Sequence, residues 1–135
     1  CVTRRQRQMC IRDRYKRALY VSEENERTIK AAKYLMEGEI SELGKLLYSS
    51  HQGLRDLYKV SCKELDFLVD FTLGLKQVVG ARMMGGGFGG CTINLVNENF
   101  VQEFLDKIKI AYSQKFNINL ATHLVHIHNG VEILK

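Results

Sequence analysis

Six consecutive residues near the middle of the chain, Gly85-Gly86-Gly87-Phe88-Gly89-Gly90, constrain the rest more than any other stretch. Glycine loses more conformational freedom on folding than any other residue, so such a run is a connection between elements that other residues must order. Val78 to Met83 before it reads as a strand. After it, Cys91, Ile93 and Leu95 alternate with Thr92 and Asn94 up to Val96, which is also the period of a strand. A glycine-rich backbone can take positive φ repeatedly and aim successive N–H groups at one point, which is how a chain approaches a phosphate closely. A tight hairpin turn without a ligand has the same composition, and at this point both readings stand.

Helical periodicity dominates what precedes the loop. From about Arg14 to Glu37, residues Leu19, Ser22, Glu26, Ile29, Ala32, Leu35 and Met36 recur near 3.6 spacing, and Gly38 ends the helix. A second helix, Glu39 to Ser49, places Ile40, Leu43, Leu46 and Leu47 on one side. Ser50 to Asp56 reads as a loop or helix end. Ser61-Cys62-Lys63-Glu64 fits a capping box, opening a helix expected to bury Leu65, Leu68, Val69, Thr72 and Leu73 before Gly74. Beyond the two strands, Asn97 or Asn99 can cap a helix whose stripe is Phe100, Val101, Phe104, Leu105, Ile108 and Ala111. A last strand is expected from about Thr122 to His128, then a turn at Asn129-Gly130. This order argues for an α+β two-layer sandwich, helices packed on a mainly antiparallel sheet.

The formal net charge of +5 raises a nucleic-acid or membrane-surface reading, but its location argues against both. Residues 1–14 hold five arginines against Asp13 alone, so they carry +4 of it and the body of the chain is nearly neutral. That leader shows no period; a basic arm, a solvated tail and non-native sequence compete. The string resembles the translation of sequencing-adapter read-through, and residues 1–14 are expected to be a non-native or disordered leader before a domain at 15–135. No apolar run approaches a membrane span, and no CxxC site or disulfide framework is present. Cys62 and Cys91 read as packed thiols, and the expected location is cytoplasmic. His126 and His128 share one strand face and His123 the other, with no further ligand at suitable spacing, so no metal site is assigned.

The loop contains G-x-G-x-x-G at Gly85, Gly87 and Gly90, yet the commoner phosphate motifs fail on context. A dinucleotide fingerprint needs a helix after it, a Walker A loop needs G-K-[ST], and a protein kinase needs V-A-I-K, H-R-D and D-F-G downstream. A longer match is more specific. Gly80-Ala81-Arg82-Met83-Met84 through Gly90-Cys91-Thr92 resembles the third motif of galactokinases, in the GHMP small-molecule kinase superfamily. Ser22-Glu23-Glu24-Asn25-Glu26-Arg27-Thr28 is similar to that family's S-E-N-x-R-T helix with one extra residue. Ser50-His51-Gln52-Gly53-Leu54-Arg55-Asp56 resembles its S-H-x-S-L-R-D segment. Tyr58 to Asp66 resembles its Y-E-V-S-x-P-E-L-D run, with Lys63 where proline is usual.

The resemblance implies the C-terminal, ferredoxin-like domain of a kinase that moves the γ-phosphoryl group of ATP, with Mg²⁺, to the 1-hydroxyl of galactose. It places Gly85, Gly86, Gly87, Phe88, Gly89 and Gly90 at the phosphate end of the nucleotide, with backbone N–H groups as the working parts. Phe88 is expected to seat the loop on the domain core, and Arg82 to face the phosphates or else to be solvated or structurally paired. The family's sugar-binding motif, serine-rich phosphate loop and catalytic aspartate have no counterpart here. No catalytic residue is therefore assigned, the Mg²⁺ ligands are expected in a missing N-terminal kinase domain, and the fragment alone is expected to be inactive. The alternative is a catalytically dead galactokinase-like sensor. Neither reading involves nucleic acid or a membrane.

Overall fold

The computed structural model describes residues 3–125. Over that range the order is α1 (Arg4–Glu37), α2 (Ile40–Gly53), a π-helical turn (Leu54–Tyr58), α3 (Lys63–Thr72), β1 (Val78–Met83), β2 (Thr92–Val96), a 3₁₀ turn (Glu98–Phe100) and α4 (Val101–Phe116). The architecture is α+β, with the helices of the described residues set around a two-stranded antiparallel sheet. Val78 pairs with Val96 and Met83 with Thr92, and a register shift falls between Val78 and Gly80. The Met84 N–H donates to the Cys91 carbonyl at 2.9 Å and closes the hairpin. Gly85 to Gly90 therefore form the hairpin's connection.

One core lies at the far end of the sheet from that loop. Leu68, Val78, Phe100, Phe104, Ile108 and Tyr112 are buried there, with Phe67, Phe71 and Phe116 packed around them. The expected stripe of α4 holds, and Tyr112 and Phe116 extend it. Phe67 and Phe116 meet edge to face at 5.5 Å between centroids. Asn97 accepts from the Asn99 N–H at the start of the 3₁₀ turn, the expected cap displaced by one short turn from α4. The second core, Tyr20, Leu54, Leu65 and Met83, sits at the end of β1 that leads into the glycine loop.

Several sequence expectations are corrected. Helix α1 begins at Arg4, not near Arg14, because Thr3 and Gln6 make a reciprocal capping box at its start. Residues 6–14 run along that extension and are exposed. The inward face of α1 is also not the apolar one: Tyr20, Glu24 and Arg27 face the domain, whereas Ile29 and Met36 are 73% and 83% exposed. The Tyr20 ring and the bonds of Glu24 to Ser50 and Arg82 make that contact, and the repeat of aliphatic residues does not register it. Of the loop and the helix end open to Ser50–Asp56, the structure has the helix end: α2 runs to Gly53 and passes into the π-helical turn, with Ser50, His51 and Leu54 buried. The α3 cap is Cys62, and the Ser61 hydroxyl donates to Asp66 instead of capping. Leu73 and Cys91 are exposed. Residues 121–125 form no strand; His126, His128 and the Asn129-Gly130 turn lie outside the described residues.

What sets α2 against β1 is absence of side chain. A Cβ on Gly44 would lie 2.0 Å from the Val79 carbonyl oxygen, and one on Gly80 would lie 2.6 Å from the Gly44 Cα. Both obstacles are backbone, so neither can turn aside. Gly44→Ala is expected to destabilise the domain by about 2–3 kcal/mol through this overpacking. Gly74→Ala, where the added methyl meets nothing within 4 Å, is expected to stay within about 0.5 kcal/mol. Urea midpoints of the two variants test the contrast.

Candidate functional site

The glycine loop occupies the tip of the hairpin, lining an open concavity of about 540 Å³ from Met84 to Cys91. Gly85, Gly87, Phe88, Gly89 and Gly90 all have positive φ, at 75°, 81°, 59°, 135° and 100°. Left-handed backbone costs a non-glycine residue roughly 1–2 kcal/mol, so Phe88 is held there by its surroundings. Its N–H donates to the Val60 carbonyl at 2.7 Å, and a Cβ on Gly87 would lie 2.1 Å from that same oxygen. Among the described residues, the N–H groups of Gly85, Gly86, Gly87, Gly89 and Gly90 make no hydrogen bond to the protein. Phe88 does not seat the loop with its ring, as the sequence suggested. The ring is 77% exposed, and the backbone contact to Val60 does the seating.

Two polar chains converge just below the loop, on Met83. From one side, the Arg82 Nε donates to the Met83 carbonyl at 3.0 Å, and its Nη1 reaches Glu24 Oε1 at 3.1 Å. The Ser50 hydroxyl donates to that same oxygen at 2.6 Å, and Arg27 Nε holds the other carboxylate oxygen at 2.7 Å. Burial, the largest single influence, pushes the Glu24 pKa up. The Ser50 and Arg27 hydrogen bonds, with the charges of Arg82 and Arg27, outweigh it and hold the carboxyl below its ordinary value. Of the roles open to Arg82, the structure brings the paired one.

From the other side, His51 Nδ1 accepts the Met83 N–H at 3.2 Å. Its Nε2 lies 3.2 Å from Asp66 Oδ1, close but without hydrogen-bond alignment, and Asp66 Oδ1 accepts from the Ser61 hydroxyl. His51 is 2% exposed. Burial lowers its pKa more than the Asp66 carboxylate raises it, so the ring is held neutral below the ordinary histidine value. Sequence reasoning passed over Glu24, Ser50, His51 and Asp66 as working residues. Their presence in the quoted motif stretches was the available signal, but nothing in the spacing said that stretches so far apart meet at one peptide.

Among the described residues no group of three or more His, Cys, Asp or Glu is arranged to hold a metal ion, and no helix is long and apolar enough to cross a membrane. The arrangement is instead a set of free backbone donors on a rigid base. Such donors can stabilise anionic oxygens without side-chain chemistry.

Replacing Gly87 by Ala sets a methyl against the Val60 carbonyl and strains φ as well. Gly85→Ala strains φ alone, with open space around it. Amide exchange at Phe88 is expected to rise by more than tenfold in Gly87→Ala and to change little in Gly85→Ala. Hydrogen exchange read by NMR checks both.

Residues 31–114 match the family described as GHMP kinases C terminal. The galactokinase of Thermotoga neapolitana is 48% identical over 117 residues, covering 87% of this chain and 33% of that protein. That of Clostridium beijerinckii is 43% identical over 123 residues, covering 90% and 32%. A crystal structure of Lactococcus lactis galactokinase complexed with galactose superimposes with a TM-score of 0.74 at 38% identity, covering 77% of this chain and 27% of that one. The chain thus spans about a third of the length of the galactokinases it matches. With its α+β fold, its glycine loop and this match over most of its length, the chain belongs to the GHMP kinases as a C-terminal domain.

Proposed function

We propose that this domain is the C-terminal part of an ATP-dependent galactokinase, and that the Gly85–Gly90 loop supports the phosphate end of the nucleotide. The observation that carries this is the loop itself: five glycine N–H groups without a protein partner among the described residues, around a concavity, on a backbone of mostly positive φ. Phosphoryl transfer needs little covalent help from protein. It needs the reactants held in line and the charge on the phosphoryl oxygens stabilised by donors already in place. In this reading the glycine amides supply such donors. Met83 and Val60 hold them still, and the absence of side chains lets the backbone come close.

ATP and galactose are the substrates, and Mg²⁺ would neutralise phosphate charge with ligands from outside these residues. The exposed ring of Phe88 supports a loop that works against a second body, as an exposed aromatic at a strained position is suited to be covered. The residue that takes the proton from the sugar hydroxyl, and most of the contacts to the sugar, belong in this proposal to a preceding kinase domain.

A chimera tests the proposal. Residues 15–135 replace the matching part of the Thermotoga maritima galactokinase, a protein 46% identical over 117 residues. Galactose-dependent ADP release is expected from the chimera. Gly87→Ala within it is expected to lower kcat by about two orders of magnitude, the scale of losing aligned backbone donors. The 135-residue chain alone is expected to release none above background. A folded chimera without activity, or turnover by the isolated chain, would overturn the reading.

A further inference from the structure

Among the described residues, strand β1 has a strand partner on one edge only. Met84 gives its N–H to Cys91, the residue before β2, and because alternate residues of an antiparallel strand point to opposite edges, the Met83 N–H faces the side where α2 lies. A buried strand-edge N–H needs an acceptor. The nitrogen that supplies one is His51 Nδ1, at 3.2 Å. A backbone N–H can only donate, so Nδ1 carries the lone pair and the ring proton sits on Nε2, the nitrogen beside Asp66.

We propose that His51 is a positioning residue for the glycine loop: its Nδ1 lone pair fixes the last peptide of β1, and the Asp66 carboxylate, 3.2 Å from Nε2, favours by its charge the tautomer in which that lone pair is free. The Ser61 hydroxyl holds Asp66, the Asp66 carboxylate lies against His51 Nε2, and His51 Nδ1 holds Met83, two residues before Gly85. Side chains from the segment before α3, from α3 itself and from α2 thereby act on one backbone amide. The link from loop position to phosphate binding rests on the kinase reading above; the support of the loop itself does not.

The arrangement works only with a neutral ring. A proton on Nδ1 would turn an acceptor into a donor facing the Met83 N–H. The groups around the ring are Asp66 and Asp70 of α3, Arg55 of the π-helical turn, and Arg82 across Met83 on β1. Burial and Arg55 disfavour the imidazolium, Asp66 and Asp70 favour it, and burial dominates. With a folded pKa below the unfolded value, the unfolded chain binds more protons over the interval between them. Stability and loop order are therefore full above about pH 6.5 and decline as pH falls from there toward the lowered folded value.

The test is made on the 135-residue chain by NMR. At pH 7.5 the His51 Nδ1 is expected to give the nitrogen signal of an unprotonated ring atom and Nε2 that of a protonated one. His51→Asn keeps an acceptor near the Nδ1 position, and His51→Gln keeps reach toward Asp66 but loses that acceptor. In His51→Gln the exchange of the Met83 amide and of amides 85–90 is expected to rise about tenfold against Leu68 and Phe104 in the core, the scale of one hydrogen bond. In His51→Asn that ratio is expected to stay near the unsubstituted value. A protonated Nδ1 at pH 7.5 overturns the proposal even if both variants fail to fold, and so does equal behaviour of the two variants. None of these readouts involves ATP or galactose, so an inactive chimera counts against the kinase reading alone. In an active chimera, His51→Gln is expected to raise KM for ATP and His51→Asn to restore it.

Discussion

The glycine loop's base depends on the backbone of one residue, Met83. Its side chain is fully buried, its N–H is held by His51 and its carbonyl by Arg82. A run of glycines has no side chains with which to hold itself, and each residue in it loses conformational entropy when ordered. Order must therefore be imported from the ends. On the strand side it comes through Met83, and in the middle through the bond from Phe88 to Val60. Among the described residues the amides of the loop's glycines make no hydrogen bond to the protein, because the neighbours do the holding.

That division of labour explains the polar character of the surrounding packing. Glu24 is shared by Ser50, Arg27 and Arg82, which ties α1, α2 and β1 together through one carboxylate. Partly buried ion pairs add little net stability compared with apolar contacts, since desolvation offsets much of the attraction. They do add direction. A hydrogen-bonded carboxylate fixes where its partners sit, and a leucine in its place would tolerate sliding. The far core of Phe100, Phe104, Ile108 and Tyr112 supplies bulk burial, while the polar chains near the loop set geometry. The π-helical turn serves the same end: it closes on Lys59 at a φ of 64° and delivers the Val60 carbonyl to the loop.

Much of this was legible in the residues themselves. The strand-loop-strand unit, the α4 stripe and the α+β class follow from periodicities that report burial against water. The first helix shows where that signal stops. Ile29, Leu35 and Met36 repeat at helical spacing and yet face outward, because the contacts that orient α1 are the buried Tyr20 and the bonds of Glu24 to Ser50 on α2 and Arg82 on β1. A repeat of aliphatic residues cannot reveal a face set by one ring and one carboxylate. Phe88 failed differently: an aromatic beside glycines suggested an anchor, but the anchor is its amide, and amides carry no sequence signature.

The sequence alone determined that a glycine-rich connection lies between two strands, which common phosphate motifs it is not, and which family its flanking motifs resemble. Those are properties of local order, and local order is written in neighbouring residues. Only the tertiary structure decided that Glu24, Ser50, His51, Asp66 and Arg82, taken from four separate stretches, meet at Met83. Such convergence depends on the close approach of α2 and β1 through Gly44 and Gly80 and on the turn that follows α2. It is a property of chain path in three dimensions, and no spacing along one dimension encodes it.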